Sequence, residues 1–326
     1  MHQVFSMKEL GFISYFLGIS VTSGSTTVLS QKKYAQDILL KAGMLDCKAC
    51  SSPISVKPGL PRHSDEPFAN PPMYRSIVEA LQYLTITRPD ISFAVNQLYQ
   101  HMHNPTVGHY AAVKRLLRFN KGTISHGLTY TPSSFDLHAY SDSNWAADSV
   151  DRKSTLRYYV FLGSNLISWS SKKQATFSQS STEIEYRSLA HTVVELAWLG
   201  MLRQDFSIVL PTVPLLWCDN VSSIALASNP VFHSKSKHIE VDCHFVRDRV
   251  LAKKLVLHYI PTIDQLADIF TKPLSISRHS YLKDKLNVSF SLHSLQGNVK
   301  DTPPVSLVAS FTSLGCSRSS KLQLLP

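Results

Sequence analysis

Four carboxylates, Asp142, Glu185, Asp219 and Asp268, stand inside or at the edge of apolar runs. Asp142 closes LHAYSD, Glu185 lies in SSTEIEYRSLA, Asp219 closes PLLWCD, and Asp268 lies in DQLADIFTK. Burying a carboxylate is costly unless something pairs it. A divalent cation is one partner that satisfies several acids at once. Acids in this arrangement point to metal-dependent phosphodiester cleavage. In that chemistry two ions about 4 Å apart activate a water and stabilise the leaving oxygen. Hard oxygen ligands suit Mg²⁺, with Mn²⁺ as a second possibility.

The elements that must position these acids are readable from periodicity. LHAYSD reads as a strand. LRYYVFLGSNLISWSSK reads as a hairpin turning at Gly163-Ser164-Asn165. SSTEIEYRSLAHTVVELAWLGML is a long helix, opened by a capping box of Ser180 and Glu183. On it Glu185, Leu189, Thr192 and Leu196 share one face, and the leucines mark that face as buried. PLLWCD is a short strand, VSSIALAS and HIEVDCHFVRDRVLAK are helices, and LVLHYIP is a strand. Thr262 and Gln265 form a second box expected to open a helix over TIDQLADIF. Strands interleaved with helices after a hairpin imply a mixed sheet in an α/β layer domain.

Residues 1–125 read as mainly helical. Helices are expected after Ser30, with Gly43 as the stop, over Tyr74–Thr85, from Pro89 to Met102, and over Thr106–Lys121. The stretch Ser51–Pro72 reads as a loop. Lys114, Arg118 and Lys121 fall on one face of the last helix. Such a face is either simply solvated or a contact for a nucleic-acid backbone. Lys235, Lys237 and His238 form a second basic cluster with the same two readings.

With 326 residues the chain has room for two domains. The net charge of +10 favours an acidic partner such as nucleic acid. No apolar run approaches the roughly 20 residues of a membrane helix, and the start lacks a signal-peptide pattern. Both points exclude a membrane partner. The five scattered cysteines fit a reduced, intracellular setting, cytoplasm or nucleus. Cys47 and Cys50 form a CxxC without the second ligand pair that zinc needs, so a plain loop is expected there. From about Val288 the chain turns Ser-rich, and residues 289–326 read as a disordered tail.

YSDSNWAADSVDRKST, FLGSNLISWSSKKQ, SSTEIEYRSLA, CDNVSSIALASNPVFHSKSKHIEVDCHFVRDRV and IPTIDQLADIFTKPL resemble the ribonuclease H domain of copia-type LTR-retrotransposon Pol polyproteins. The resemblance runs in register over about half the chain. FSMKELGFISYFLGISV, LSQKKYAQDILLKAGMLDCK, YRSIVEALQYLTITRPDISFAVNQLYQHMHNPT and AAVKRLLRFNKGT are similar to the segment that follows the polymerase palm in the same polyproteins, the reverse-transcriptase thumb and connection.

The resemblance implies a ribonuclease H-like mixed five-stranded sheet with flanking helices over 126–288. A mainly helical thumb/connection-like region precedes it over 1–125. It implies metal-dependent endonucleolytic cleavage of the RNA in RNA–DNA hybrids, with two Mg²⁺ as cofactor and the upstream polymerase part as a further partner. The family's catalytic, metal-binding acids carry over as Asp142 of YSD, Glu185 of ExEY, Asp219 of CDN and Asp268 of ADxFTK. The alternative is a nucleic-acid-binding remnant with weak or no turnover.

Three departures stand out. Leu156-Arg157 replaces a small pair, and the bulky basic residue is expected to deform the hairpin near Asp142. Glu79 replaces a Gly, and Asn144 a frequent Asp. The chain contains no Tyr-x-Asp-Asp, so no polymerase activity is expected of it alone.

Overall fold

The computed structural model describes residues 11–55, 66–144, 154–174, 180–229 and 240–290. In the first part, α1 (Lys32–Lys41), α2 (Pro71–Leu84), a 3₁₀ turn (Pro89–Ile91) leading into α3 (Ser92–Tyr99), and α4 (Val107–Gly122) enclose one core. Leu39, Ile77, Leu81, Leu116 and Leu117 are fully buried in it. The helices start and stop where local chemistry demands. Prolines open α2 behind Asn70, whose side chain accepts from the Met73 N–H at 3.1 Å. Thr106 and His109 exchange hydrogen bonds at the start of α4. Glu79 is exposed on α2, so its departure from Gly disturbs no packing. The CxxC cysteines lie outside helices and strands, and Cys50 Sγ donates to the backbone of Arg115 at 3.3 Å.

The helical reading of this part is incomplete. β1 (Tyr15–Phe16), β2 (Ile19–Ser23), β3 (Thr27–Ser30), β4 (His126–Tyr130) and β10 (Val288–Phe290) form an antiparallel sheet in the order β1-β2-β3-β4-β10. No strand exceeds five residues, and they come from three separate parts of the chain. Such pieces carry too little periodicity to be read locally. β10 also takes in Ser289 and Phe290, the first residues of the stretch read as a tail. The rest of that stretch, from 291 on, lies outside the described residues.

The second sheet is the expected mixed five-stranded one. It comprises β5 (Leu137–Asn144), β6 (Thr155–Leu162), β7 (Asn165–Lys173), β8 (Leu215–Cys218) and β9 (Val256–Tyr259), in the order β7-β6-β5-β8-β9. β5, β6 and β7 are antiparallel, whereas β8 and β9 add parallel. Gly163 turns the β6–β7 hairpin at φ +56°. A side chain there would collide with the Ser134 carbonyl, so both backbone angle and space require glycine.

Leu137, Ala139 and Leu216 turn one face of this sheet to α5 (Ser181–Asp205), which buries Leu189, Val193 and Leu196 against it. α6 (Val221–Ser228) and α7 (Glu240–Leu251) complete that layer. The other face carries Tyr159 and Phe161. It packs on α8 (Asp268–Thr271) and α9 (Ile276–Lys285), together with Leu128 of β4 and Val288 of β10. One apolar cluster therefore joins both sheets.

Two local expectations are corrected. TIDQLADIF is not a single helix: Thr262–Asp264 is a 3₁₀ turn, and α8 begins only at Asp268. Gln265 does not serve as a cap partner. It is wholly buried, donates to the Ser141 carbonyl at 3.0 Å and accepts from the Ala267 N–H at 3.3 Å. The tie to β5 outcompetes a local box. α9, capped by Ser275, follows as a further helix not anticipated from the pattern. The second correction concerns the hairpin. Leu156-Arg157 leaves the β5–β6 ladder unbroken from Leu137↔Leu162 to Asn144↔Thr155. Leu156 and Arg157 point to opposite faces, and both are buried.

Candidate metal centre

Alternation along β5 places Asp142 on the α8 side of the sheet and Ser143 on the α5 side. Asp142 is only 3% exposed. Its backbone is anchored by Ser188 of α5, whose Oγ lies 2.7 Å from the Asp142 carbonyl and 3.0 Å from that of Arg157. Glu185, one turn earlier on the same helix, reaches Ser143 from the other side. Asp219 follows β8 directly, and Thr262 Oγ1 donates to its Oδ2 at 3.4 Å. Donor atoms of Glu185, Cys218 and Asp219 all lie within 4.8 Å of one another, a grouping able to hold a metal ion.

The electrostatics fit that grouping. Asp142 is pushed up to about 6, first by burial and then by the charge of Asp219. Glu185 is pushed up to about 9, first by burial and then by Asp142. Asp142 Oδ2 and Glu185 Oε2 are buried without a hydrogen-bond partner. Clustered carboxylates that resist ionisation and keep oxygens without donors are groups a divalent cation would satisfy. The residues present therefore fit a metal.

Asp268 belongs to the same electrostatic cluster, since its charge raises Asp142. Its carboxylate is nonetheless already ion-paired, to Lys272 Nζ at 2.6 Å and Arg278 at 3.9 Å. Asn144 donates to the Thr271 carbonyl at 2.9 Å and so ties β5 to the C-terminal end of α8. An Asp at that position would have no hydrogen to give. Glu183 is the first-turn acid of α5: its N–H is capped by Ser180 Oγ at 3.1 Å, and its carboxylate pairs with Arg187 at 2.9 Å.

Sequence reading missed Cys218 and Lys272 as members of this neighbourhood, and put Arg157 near Asp142 only as a bulky departure. Cys218 had a signal in its adjacency to Asp219, and Lys272 in its i+4 spacing from Asp268. Arg157 stood out as a departure near Asp142, but only the register of β6 sets it directly opposite that acid.

On α4, Lys114 and Arg118 are exposed and Lys121 is half-buried. Lys114 Nζ lies 5.4 Å from the Tyr110 ring centre, and Arg118 Nε donates to the Lys48 carbonyl at 2.8 Å. Lys235, Lys237 and His238 lie outside the described residues. Among the described residues no helix is long and apolar enough to cross a membrane.

In this mixed α/β sheet, acids converge at the ends of the neighbouring strands β5 and β8. No family model matches the chain. It is 47% identical over 275 residues to the retrovirus-related Pol polyprotein from transposon RE2 of Arabidopsis thaliana, a match that covers 84% of this chain and 19% of that protein. It is 51% identical over 201 residues to an uncharacterized mitochondrial protein of Arabidopsis thaliana, across 61% of this chain and 83% of that one. Among solved structures, the foamy viral protease–reverse transcriptase in complex with RNA/DNA hybrid aligns at 14% identity with a TM-score of 0.40, over 90% of this chain and 32% of that one. The chain belongs to the Pol polyproteins of copia-type LTR retrotransposons, as a fragment of one. It spans about a fifth of the length of the Pol polyproteins it matches.

Proposed function

We propose that the chain supplies the ribonuclease H activity of a retrotransposon Pol polyprotein and cuts, endonucleolytically, the RNA strand of an RNA–DNA hybrid. The observation that carries this reading is the buried acid group, in which Asp142 and Glu185 keep carboxylate oxygens without partners. Asp142, Glu185, Asp219 and Asp268 would hold the metal, two Mg²⁺ or Mn²⁺ ions. When bound, these supply an activated water and stabilise the charge developing on the leaving oxygen.

The chain's own residues set the stage for that chemistry. Ser188 fixes the backbone of Asp142, Gln265 ties the β9–α8 connection to Ser141, and Asn144 holds the end of α8. The Lys114, Arg118 and Lys121 face and the Lys235, Lys237 and His238 cluster would take backbone phosphates, which bind without reading sequence. Residues 1–125 serve in this reading as the thumb/connection-like part and 126–288 as the nuclease. Lacking Tyr-x-Asp-Asp, the chain is expected to extend no primer.

The test is cleavage of a labelled hybrid by the purified 326-residue chain with Mg²⁺, with Mn²⁺ and with chelator. Metal-dependent cutting of the RNA strand is expected. Tight hybrid binding with no cutting in either metal would replace the enzyme by a binding remnant.

A further inference from the structure

Arg157 is 1% exposed and is among the largest of the fully buried side chains of the described residues. It stands directly opposite Asp142 in the antiparallel β5–β6 register, so both side chains leave the sheet on the same face. Its Nε donates to Ser171 Oγ at 3.0 Å, and its guanidinium lies 5.5 Å from the centre of the Phe93 ring of α3. Two buried polar atoms on these opposed residues lack partners: Nη1 of Arg157 and Oδ2 of Asp142. A buried guanidinium facing only a hydroxyl and a ring has its charge unpaired, and the nearest carboxylate across the ladder is that of Asp142. Packing alone does not account for the residue. An uncharged side chain would fill the same space against Phe93 without leaving a charge to be compensated.

We propose that Arg157 is a resident counter-ion of the acidic centre, whose charge balances that of Asp142 across the ladder without a contact ion pair and weakens the centre's grip on divalent cations. The inference rests on the reading of Asp142 as a metal ligand. Arg157 touches no reacting atom in this scheme and acts as a positioning residue. Its fixed positive charge repels an incoming cation and offsets part of the repulsion among the acids when none is bound. The centre would then load at a higher metal concentration than the acids alone would require. Through Phe93, the same guanidinium couples the metal centre to the helical first part of the chain.

The test is calorimetric titration of Mn²⁺ into the full chain without nucleic acid, alongside the thermal midpoint with and without Mn²⁺. Arg157→Met removes the charge at similar length, and Arg157→Lys retains it. Arg157→Met is expected to bind Mn²⁺ roughly tenfold more tightly, as removing a like charge at close range predicts. It should also melt lower than the parent without metal, with a larger rise on adding Mn²⁺. Arg157→Lys should stay near the parent. If Arg157→Met does not fold, Ser171→Asp neutralises the guanidinium in place and is expected to tighten Mn²⁺ binding in the same direction. Binding by the parent with equal or weaker binding by the neutralised variant overturns the counter-ion role and leaves the metal reading standing. No Mn²⁺ binding by any of these proteins overturns the metal reading itself, and this inference falls with it.

Discussion

Two buried aspartates in this molecule meet opposite fates. Asp90, in the 3₁₀ turn before α3, is 1% exposed, and Asp142, at the end of β5, is 3% exposed. Asp90 receives a bidentate grip from Arg88, Nε to Oδ1 and Nη2 to Oδ2, both at 2.8 Å. Arg88 is in turn held by the carbonyl and hydroxyl of Thr123. Burial pushes Asp90 upward, but the charge and hydrogen bonds of Arg88 outweigh it and hold the carboxyl below its ordinary range. Asp142 has equal burial, acids for neighbours and an oxygen without a donor, and it rises. Burial of an acid therefore does not mark a site. What separates a structural acid from a chemical one is whether the fold has supplied its partner.

The largest effect that could break this comparison is on stability. Removing one member of a buried pair strands the other, at a cost of about 3–5 kcal/mol. Arg88→Met is expected to lower unfolding free energy by about that amount in urea titration, and Arg88→Met with Asp90→Leu should recover most of it. Asp142→Asn removes a carboxylate that has no contact ion pair: it relieves repulsion by Asp219 and gives up only the charge of Arg157 across the ladder, so metal-free stability should change far less than in Arg88→Met. A large loss in Asp142→Asn would show that Asp142 has a structural partner.

The same Asp142→Asn variant should lose hybrid cleavage by more than about a hundredfold, since even outer-shell partners of a metal are worth 10–100-fold. Full cleavage by that variant would remove Asp142 from the site.

The third expectation concerns pH. The folded-state value of Asp142 is raised from 3.8 to about 6. Its contribution is thus fully present below the unfolded value and is lost as pH rises through the folded one. Metal-free stability should fall by an amount on the order of 2 kcal/mol between about pH 4 and 6. Glu185, raised to about 9, extends the loss upward. Asp90, being lowered, runs the other way: its contribution is present above the unfolded value and is lost as pH falls through the folded one. Saturating Mn²⁺ should flatten the rise-of-pH loss and leave the acid limb of Asp90 untouched. A pH profile unchanged by metal would argue against metal at these acids.

The smallest effect is expected on α4. Replacing Lys114, Arg118 and Lys121 together by Gln should lower the salt slope of hybrid binding by up to about 3, near one per phosphate contact. It should leave cleavage at saturating hybrid little changed. An unaltered slope would make the face an ordinary solvated surface.

Much of this was legible in the chain itself. Periodicity carried α2, α4 and α5 and the strands of the mixed sheet, because long elements with one buried face repeat their pattern many times. Thr106 and Gly43 marked helix ends through hydrogen bonds and backbone angles that involve only near neighbours. The four acids stood out because charge beside apolar runs is costly wherever it occurs. Tertiary structure alone decided the rest. The sheet joining β1–β4 to β10 depends on pairings across more than a hundred residues, which no local window contains. Gln265 serves β5 rather than a helix start because Ser141 offers a buried carbonyl from far along the chain. Asp268 is already paired, while Asp142 faces a buried arginine across one ladder rung. Composition shows that a charge is present, but only the packed register decides what stands opposite it, and that partner sets whether the charge holds the fold or waits for a ligand.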